Sequence, residues 1–238
     1  VDPATQQLAE RDAFKSRHCV DGGRQQHLMA RYGLPPTITA SSVADDITAK
    51  MILSDAALRQ RHLAKADVPN AYAHGQRIAR PVTYMALPAV ARHQRADDGS
   101  ELCIELASPL WGEGPAGFEW QVELESTLAS LGWSPCENVP CAWRIETPEG
   151  DCIMLTVVDD LLFSESASSN HSITNRTVAA LSKKYGDLRL EHSPDSFAGY
   201  KLTASAGTMR ITMPQKIVEA ATIHMPESSQ ASLSLIHI

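Results

Sequence analysis

Apolar positions recur along this chain with two different periods, and the changes of period mark its elements. Ser42 and Asp45 stand at the spacing of a helix start, and Val43, Ile47, Met51 and Leu58 then share a face. This predicts a helix capped at Ser42 with that face inward. Residues 62–68 read as a short strand ending at Asp67, and residues 70–75 as a turn or helical piece. Residues 102–106 read as a strand. Phe118, Val122, Leu128 and Leu131 predict a helix over about 117–131, with Gly132 as its stop. The clearest hairpin joins residues 141–147 to 152–158 through Pro148-Glu149-Gly150. Asp159-Asp160 then interrupts an apolar run that Leu161-Leu162-Phe163 resumes. A further helix is expected over 172–185, closed by Gly186, followed by short strands at 188–190, 197–202 and 209–213. Pro214 suits the first turn of a last helix, to about Thr222. Residues 1–40 read as irregular, with Gly22-Gly23 and Pro35-Pro36 as breakers. Helices interleaved with hairpins point to an α+β class rather than a doubly wound sheet.

Composition narrows the class. The 238 residues are 43% hydrophobic and 21% charged, enough to bury a core and too apolar for wholesale disorder. The longest apolar run, residues 152–158, is too short to span a bilayer. No basic-then-apolar segment opens the chain, so the expectation is an intracellular protein with no membrane partner. The five cysteines are odd in number and scattered, which is no disulfide framework. Cys136 and Cys141 lack the second pair a zinc site requires, and the nine histidines form no ligand-spaced motif.

Charge is uneven. Residues 1–96 hold 13 Lys and Arg against 8 acids, whereas residues 97–160 hold only Arg144 against 14 acids. The basic third suits phosphates. The acidic middle suits either cations or plain solvation, and a net charge of −7 is unlike a simple nucleic-acid coat.

Three Asp-Asp pairs stand out. Asp45-Asp46 belongs to a helix start, where acids complement the dipole. Asp97-Asp98 precedes Gly99 and marks a turn. Asp159-Asp160 lies between apolar strand segments, where carboxylates need a compensating reason. An acidic turn or a metal-holding hairpin tip both satisfy the pattern. Asp67 also ends a strand-like run. If the two strands are neighbours, Asp67 and Asp159 can hold two magnesium ions, which take oxygen ligands and leave room for phosphate.

The motifs around these acids resemble the reverse transcriptase of copia-type retrotransposons. Six segments carry the likeness in order: Phe14-Lys15-Ser16-Arg17 with Gly22-Gly23-Arg24-Gln25; Ala66-Asp67-Val68-Pro69-Asn70-Ala71-Tyr72-Ala73-His74-Gly75; Leu110-Trp111-Gly112 through Trp120; Leu131-Gly132-Trp133 with Pro140-Cys141-Ala142-Trp143; Val157-Val158-Asp159-Asp160-Leu161-Leu162; and Phe197-Ala198-Gly199-Tyr200 with Gln215-Lys216. The resemblance implies a fingers–palm polymerase fold with a ferredoxin-like palm and the start of a thumb over residues 12–226, leaving 227–238 unassigned. It implies that Asp67, Asp159 and Asp160 are the catalytic carboxylates and hold two magnesium ions with the Val68 carbonyl. Lys15 and Arg17 would contact the incoming triphosphate, and Tyr72 would exclude a ribose 2′-hydroxyl. The implied partners are an RNA or DNA template with its primer, and deoxynucleoside triphosphates.

The chain departs from the family pattern at several points. Val157 stands for a tyrosine and Pro69 for a lysine, and Glu113, Gly114 and Pro115 occupy a segment that usually offers basic and glutamine side chains. These departures favour a rival expectation, a catalytically decayed remnant that keeps the palm fold and binds nucleic acid weakly or not at all. A metal-dependent phosphohydrolase is a third reading, set back by the lack of a marked water-activating His or Glu.

Overall fold

The structure is a computed structural model that describes residues 19–20, 22–31, 41–78, 82–87, 93–205 and 207–213. In chain order the elements are α1 (Gly22–Arg31), α2 (Asp46–Leu58), β1 (His62–Asp67), α3 (Ala71–His74), β2 (Tyr84–Ala86), β3 (Cys103–Glu105), α4 (Ala116–Ser130), β4 (Ser134–Pro135), β5 (Ala142–Thr147), β6 (Gly150–Val157), β7 (Asp160–Glu165), a 3₁₀ turn (Ala167–Ser169), α5 (Ser172–Tyr185), β8 (Arg189–His192), β9 (Ser196–Phe197), β10 (Tyr200–Ser205) and β11 (Thr208–Thr212). The fold is mixed α and β, and every strand pairing is antiparallel. Among the described residues no helix is long and apolar enough to cross a membrane. The helix expected after Pro214 lies outside the described residues.

Two compact units divide the chain, Val1–Ala40 with Tyr72–Trp120, and Ser41–Ala71 with Gln121–Ile238. In the first unit α1 replaces the expected irregular stretch. Its two glycines fall in the first turn, where backbone N–H groups lack helical partners in any case, and residues 24–31 are largely helix formers. A short β2–β3 ribbon follows. Glu113 is fully buried and receives Arg77 Nη2 at 3.2 Å and the Leu110 N–H at 2.8 Å. Gly112 is required by its surroundings. It has φ +90°, and a Cβ there would lie 1.8 Å from the Val20 carbonyl oxygen. The same segment is tied by Val20 N–H donating to the Trp111 carbonyl at 2.7 Å.

The second unit is built on a six-stranded sheet of order β4-β5-β6-β7-β1-β8. Both faces are covered, which is why residues 152–158 read as a continuous apolar run instead of alternating. On one face Leu63, Leu155 and Leu162 pack with Ala49, Ile52, Leu53 and Ala56 of α2 and with Phe197, Tyr200 and Leu202. On the other face Met154, Leu161 and Phe163 are buried, as are Ile173 and Leu181 of α5. Trp133 meets Phe163 edge-on at 6.2 Å and donates through Nε1 to Thr177 at 3.2 Å.

Four local expectations are corrected. The cap of α2 is Asp45, whose Oδ1 accepts from Thr48 N–H at 2.7 Å, while Ser42 N–H donates to Gln121 Oε1. Its predicted inner face is the outer one: Val43, Ile47, Met51 and Leu58 are 65–78% exposed. The helix is apolar on two sides, and the sheet takes the side whose alanines let the backbone come close. In α4 the buried line is Trp120, Leu124 and Leu128, with Val122 exposed. The expected strand 197–202 is two strands, because Ala198 and Gly199 both have positive φ and make a two-residue turn.

Candidate active site

β1 carries alternating side chains to the two faces of the sheet, and Pro69 with the left-handed Asn70 ends it just beyond Asp67. The register is specific. Asp67 pairs with Asp160 of β7 on one side and with Arg189 of β8 on the other. Directly opposed residues share a face, with Cβ atoms about 4.5–5.5 Å apart. The hairpin between β6 and β7 has a two-residue tip, Val158-Asp159, with Val158 at φ +58°. The Asp159 carbonyl accepts from the Val68 N–H at 2.9 Å, which ties the tip to the residue after Asp67. The three predicted carboxylates thus lie at one end of two neighbouring strands. Asp67 and Asp159 are exposed, Asp160 is half-buried, and Val68 is buried.

Electrostatics fit this crowding. Burial, then the charges of Asp159 and Asp67, push the Asp160 carboxyl above its ordinary value, and only the Lys65 cation opposes them. Lys65 stands two residues before Asp67 on the same face. Its Nζ is held by Glu191 Oε2 at 3.0 Å, the Ser196 carbonyl at 3.1 Å and Ser196 Oγ at 3.3 Å. Among the described residues no group of three or more His, Cys, Asp or Glu side chains forms a ready metal cage. Magnesium seldom uses such a cage. It binds through one or two carboxylates and completes its octahedron with water and substrate phosphate. A mutually repelling, solvent-facing Asp67–Asp160 pair with Asp159 beside it fits that donor chemistry.

Lys15 and Arg17 lie outside the described residues. Tyr72 belongs to the first unit, where it packs edge-on against Trp111 with centroids 5.8 Å apart and its carbonyl accepts from Gly75 N–H at 3.0 Å.

The opposite end of β1 holds a cluster that no sequence spacing announced. His62, His171 and His192 pack together with successive ring centroids 4.3 Å apart, the first pair tilted and the second edge-on, although they are spread over more than half the chain. His171 precedes α5 with φ +64°, and its Nδ1 is buried without a hydrogen-bond partner among the described residues. The buried Glu165, in register with His62, takes over the capping: it accepts from Ile173 N–H at 3.0 Å and Thr174 N–H at 2.8 Å. Arg189 was equally hidden, reading in sequence as an ordinary strand position.

No family model matches the chain, and no curated protein matches it. Among solved structures it is similar to an apo telomerase from Candida tropicalis truncated from the C-terminal domain. That likeness has 12% identity and a TM-score of 0.41, and it covers 72% of this chain. This chain spans about 40% of the telomerase chain it matches. A likeness of that size carries no argument about function.

Proposed function

We propose that this chain is the reverse-transcriptase domain of a copia-type retrotransposon, an RNA-directed DNA polymerase of the two-metal class. The observation that supports it best is the placing of three acids at one sheet end: Asp67 in register with Asp160, and Asp159 at a hairpin tip bonded through its carbonyl to Val68. The surrounding topology is consistent with a palm. The succession β1, α4, β6, β7, α5, β8 with spatial order β6-β7-β1-β8 is the split β-α-β arrangement of ferredoxin-like folds. On this reading the proposed reaction is attack of a primer 3′-hydroxyl on the α-phosphate of a deoxynucleotide, with pyrophosphate released. Asp67, Asp159 and Asp160, with the Val68 carbonyl, would hold two magnesium ions, which supply charge neutralisation at the phosphoryl oxygens. The protein's own part is positional. The antiparallel ladder fixes Asp67 against Asp160, and the Val68–Asp159 hydrogen bond fixes the tip, so that an exposed carboxylate edge meets the reacting ends. Tyr72 is proposed to exclude a ribose 2′-hydroxyl, and Lys15 and Arg17 to receive the triphosphate.

The second reading, a decayed remnant, draws on Glu113. The middle motif offers an acid engaged with Arg77 where a free cation is usual, and Pro115 lacks an N–H to donate.

Primer extension with magnesium, by the wild-type chain and by Asp159→Asn, tests both. Template-dependent incorporation lost in Asp159→Asn supports the polymerase. A folded wild-type chain that incorporates nothing supports the remnant. Extension that survives Asp159→Asn would remove the carboxylates from the chemistry.

A further inference from the structure

We infer that Arg189 is a phosphate-binding residue of the carboxylate site. This rests on the polymerase reading and adds a cationic partner that the sequence motifs do not supply. The register places Asp160, Asp67 and Arg189 in one row across β7, β1 and β8, all on one face. One row further in, Leu162, Lys65 and Glu191 stand opposite one another. The two cations differ in what they already do. Lys65 is held by Glu191 and Ser196. Arg189 is exposed, and among the described residues its side chain has neither an ion pair nor a hydrogen bond, despite facing Asp67 across the ladder.

Its position is anchored by the backbone around it. β8 is the edge strand, on the side of β1 away from β7, and Arg189 is exposed there. The turn that leads into β8 begins at Gly186, which has φ +90° and whose Cβ position lies 3.7 Å from the Pro69 ring. The start of the turn into β8 therefore lies against the segment that leaves β1.

A row of acids repels a polyanion unless cations flank it. A guanidinium suits that role, since its fork of five donors matches two phosphoryl oxygens and cannot be deprotonated near neutral pH. The ligand is a phosphoryl oxyanion from one of two sources, the strand backbone or the nucleotide triphosphate.

The test compares wild type, Arg189→Ala, Arg189→Lys and, as a distant exposed control, Arg144→Ala. One arm titrates a labelled primer–template duplex by fluorescence anisotropy over a range of NaCl. The other titrates a deoxynucleoside triphosphate with magnesium at equilibrium, alongside its KM in primer extension. A backbone contact predicts that Arg189→Ala weakens duplex binding about tenfold and lowers the salt slope by about 0.9, with partial recovery in Arg189→Lys. A triphosphate contact predicts about a tenfold rise in nucleotide Kd and KM with duplex binding unchanged. Both affinities within about twofold of the Arg144→Ala control overturn the inference while leaving the polymerase reading intact. So does a lowered thermal midpoint with unchanged affinities, which would make Arg189 only a counter-charge for Asp67. If the folded wild-type chain binds neither ligand and extends nothing, the polymerase reading falls and the inference falls with it.

Discussion

At the scale of single residues, the candidate site is where this chain departs from what its neighbours would choose. Val158 sits at the hairpin tip with φ +58°, a region that a β-branched side chain enters only under strain of about 1–2 kcal/mol. Asn tolerates that conformation without glycine's entropy cost. Val158→Asn is therefore expected to stabilise the chain by up to about 1 kcal/mol in urea unfolding. A loss of stability would mean that the valine side chain holds the tip in place. Asp160 is strained electrostatically. Its folded carboxyl, raised by burial and by Asp159 and Asp67, binds a proton more tightly than the unfolded chain does. Ionised Asp160 thus weakens the fold at neutral pH, and this penalty fades as pH falls through the carboxylate range. Asp160→Asn should raise the thermal midpoint at pH 7, with a smaller gain at pH 4. An equal gain at both pH values would refute the electrostatic account. That these acids would meet was legible, since apolar strand runs ended in Asp67 and in Asp159-Asp160. That Asp160, not Asp159, is the register partner of Asp67 was not, because pairing depends on the length of a hairpin tip.

Helices and strands were easier to recognise than to orient. α5 was legible almost to the residue from its period and Gly186. α2 was found but turned the wrong way, because Val43, Ile47, Met51 and Leu58 form as good a periodic face as Ala49, Ile52, Leu53 and Ala56. Periodicity cannot choose between two apolar faces; the partner does. The histidine cluster was illegible for a related reason: β1, β8 and the start of α5 each supply one ring, and only the topology brings them together. Its consequence is a pH dependence. Burial, then the neighbouring His62 and His192, hold His171 below its ordinary value, against a weaker pull upward from Glu165. The folded chain then refuses a proton that the unfolded chain accepts, so stability is full above about pH 6.5 and is lost as pH falls below it. Thermal midpoints at pH 7.5 and 5.5 should show this loss, and His171→Phe should reduce it. An identical pH slope in His171→Phe would show that other groups titrate. Glu165 faces the same cluster from β7 and stays charged through that window, held down by bonds from Ser169 and Thr174 that outweigh its burial.

At the scale of the molecule, the acidic middle of the sequence presents less field than its count suggests. Glu113 is engaged with Arg77, Glu123 with Lys184, and Asp151 with the buried Arg61. That part of the charge is paired within the fold, invisible to a tally along the chain. What remains outward at the sheet end is the carboxylate group itself. Its two supporting strands, β7 and β1, are flanked on both sides by other strands, whereas β4 and β8 are edges. The backbone under the acids is thus in the region that opens last. In deuterated buffer, the amides of Leu161 and Phe163 should exchange only at the rate of complete unfolding, while those of the β4 edge exchange through smaller openings. Comparable rates in the two places would show a looser sheet. If the difference holds, the spacing of Asp67 and Asp160 is set before any ligand arrives, and a bound ion has no disorder left to remove there.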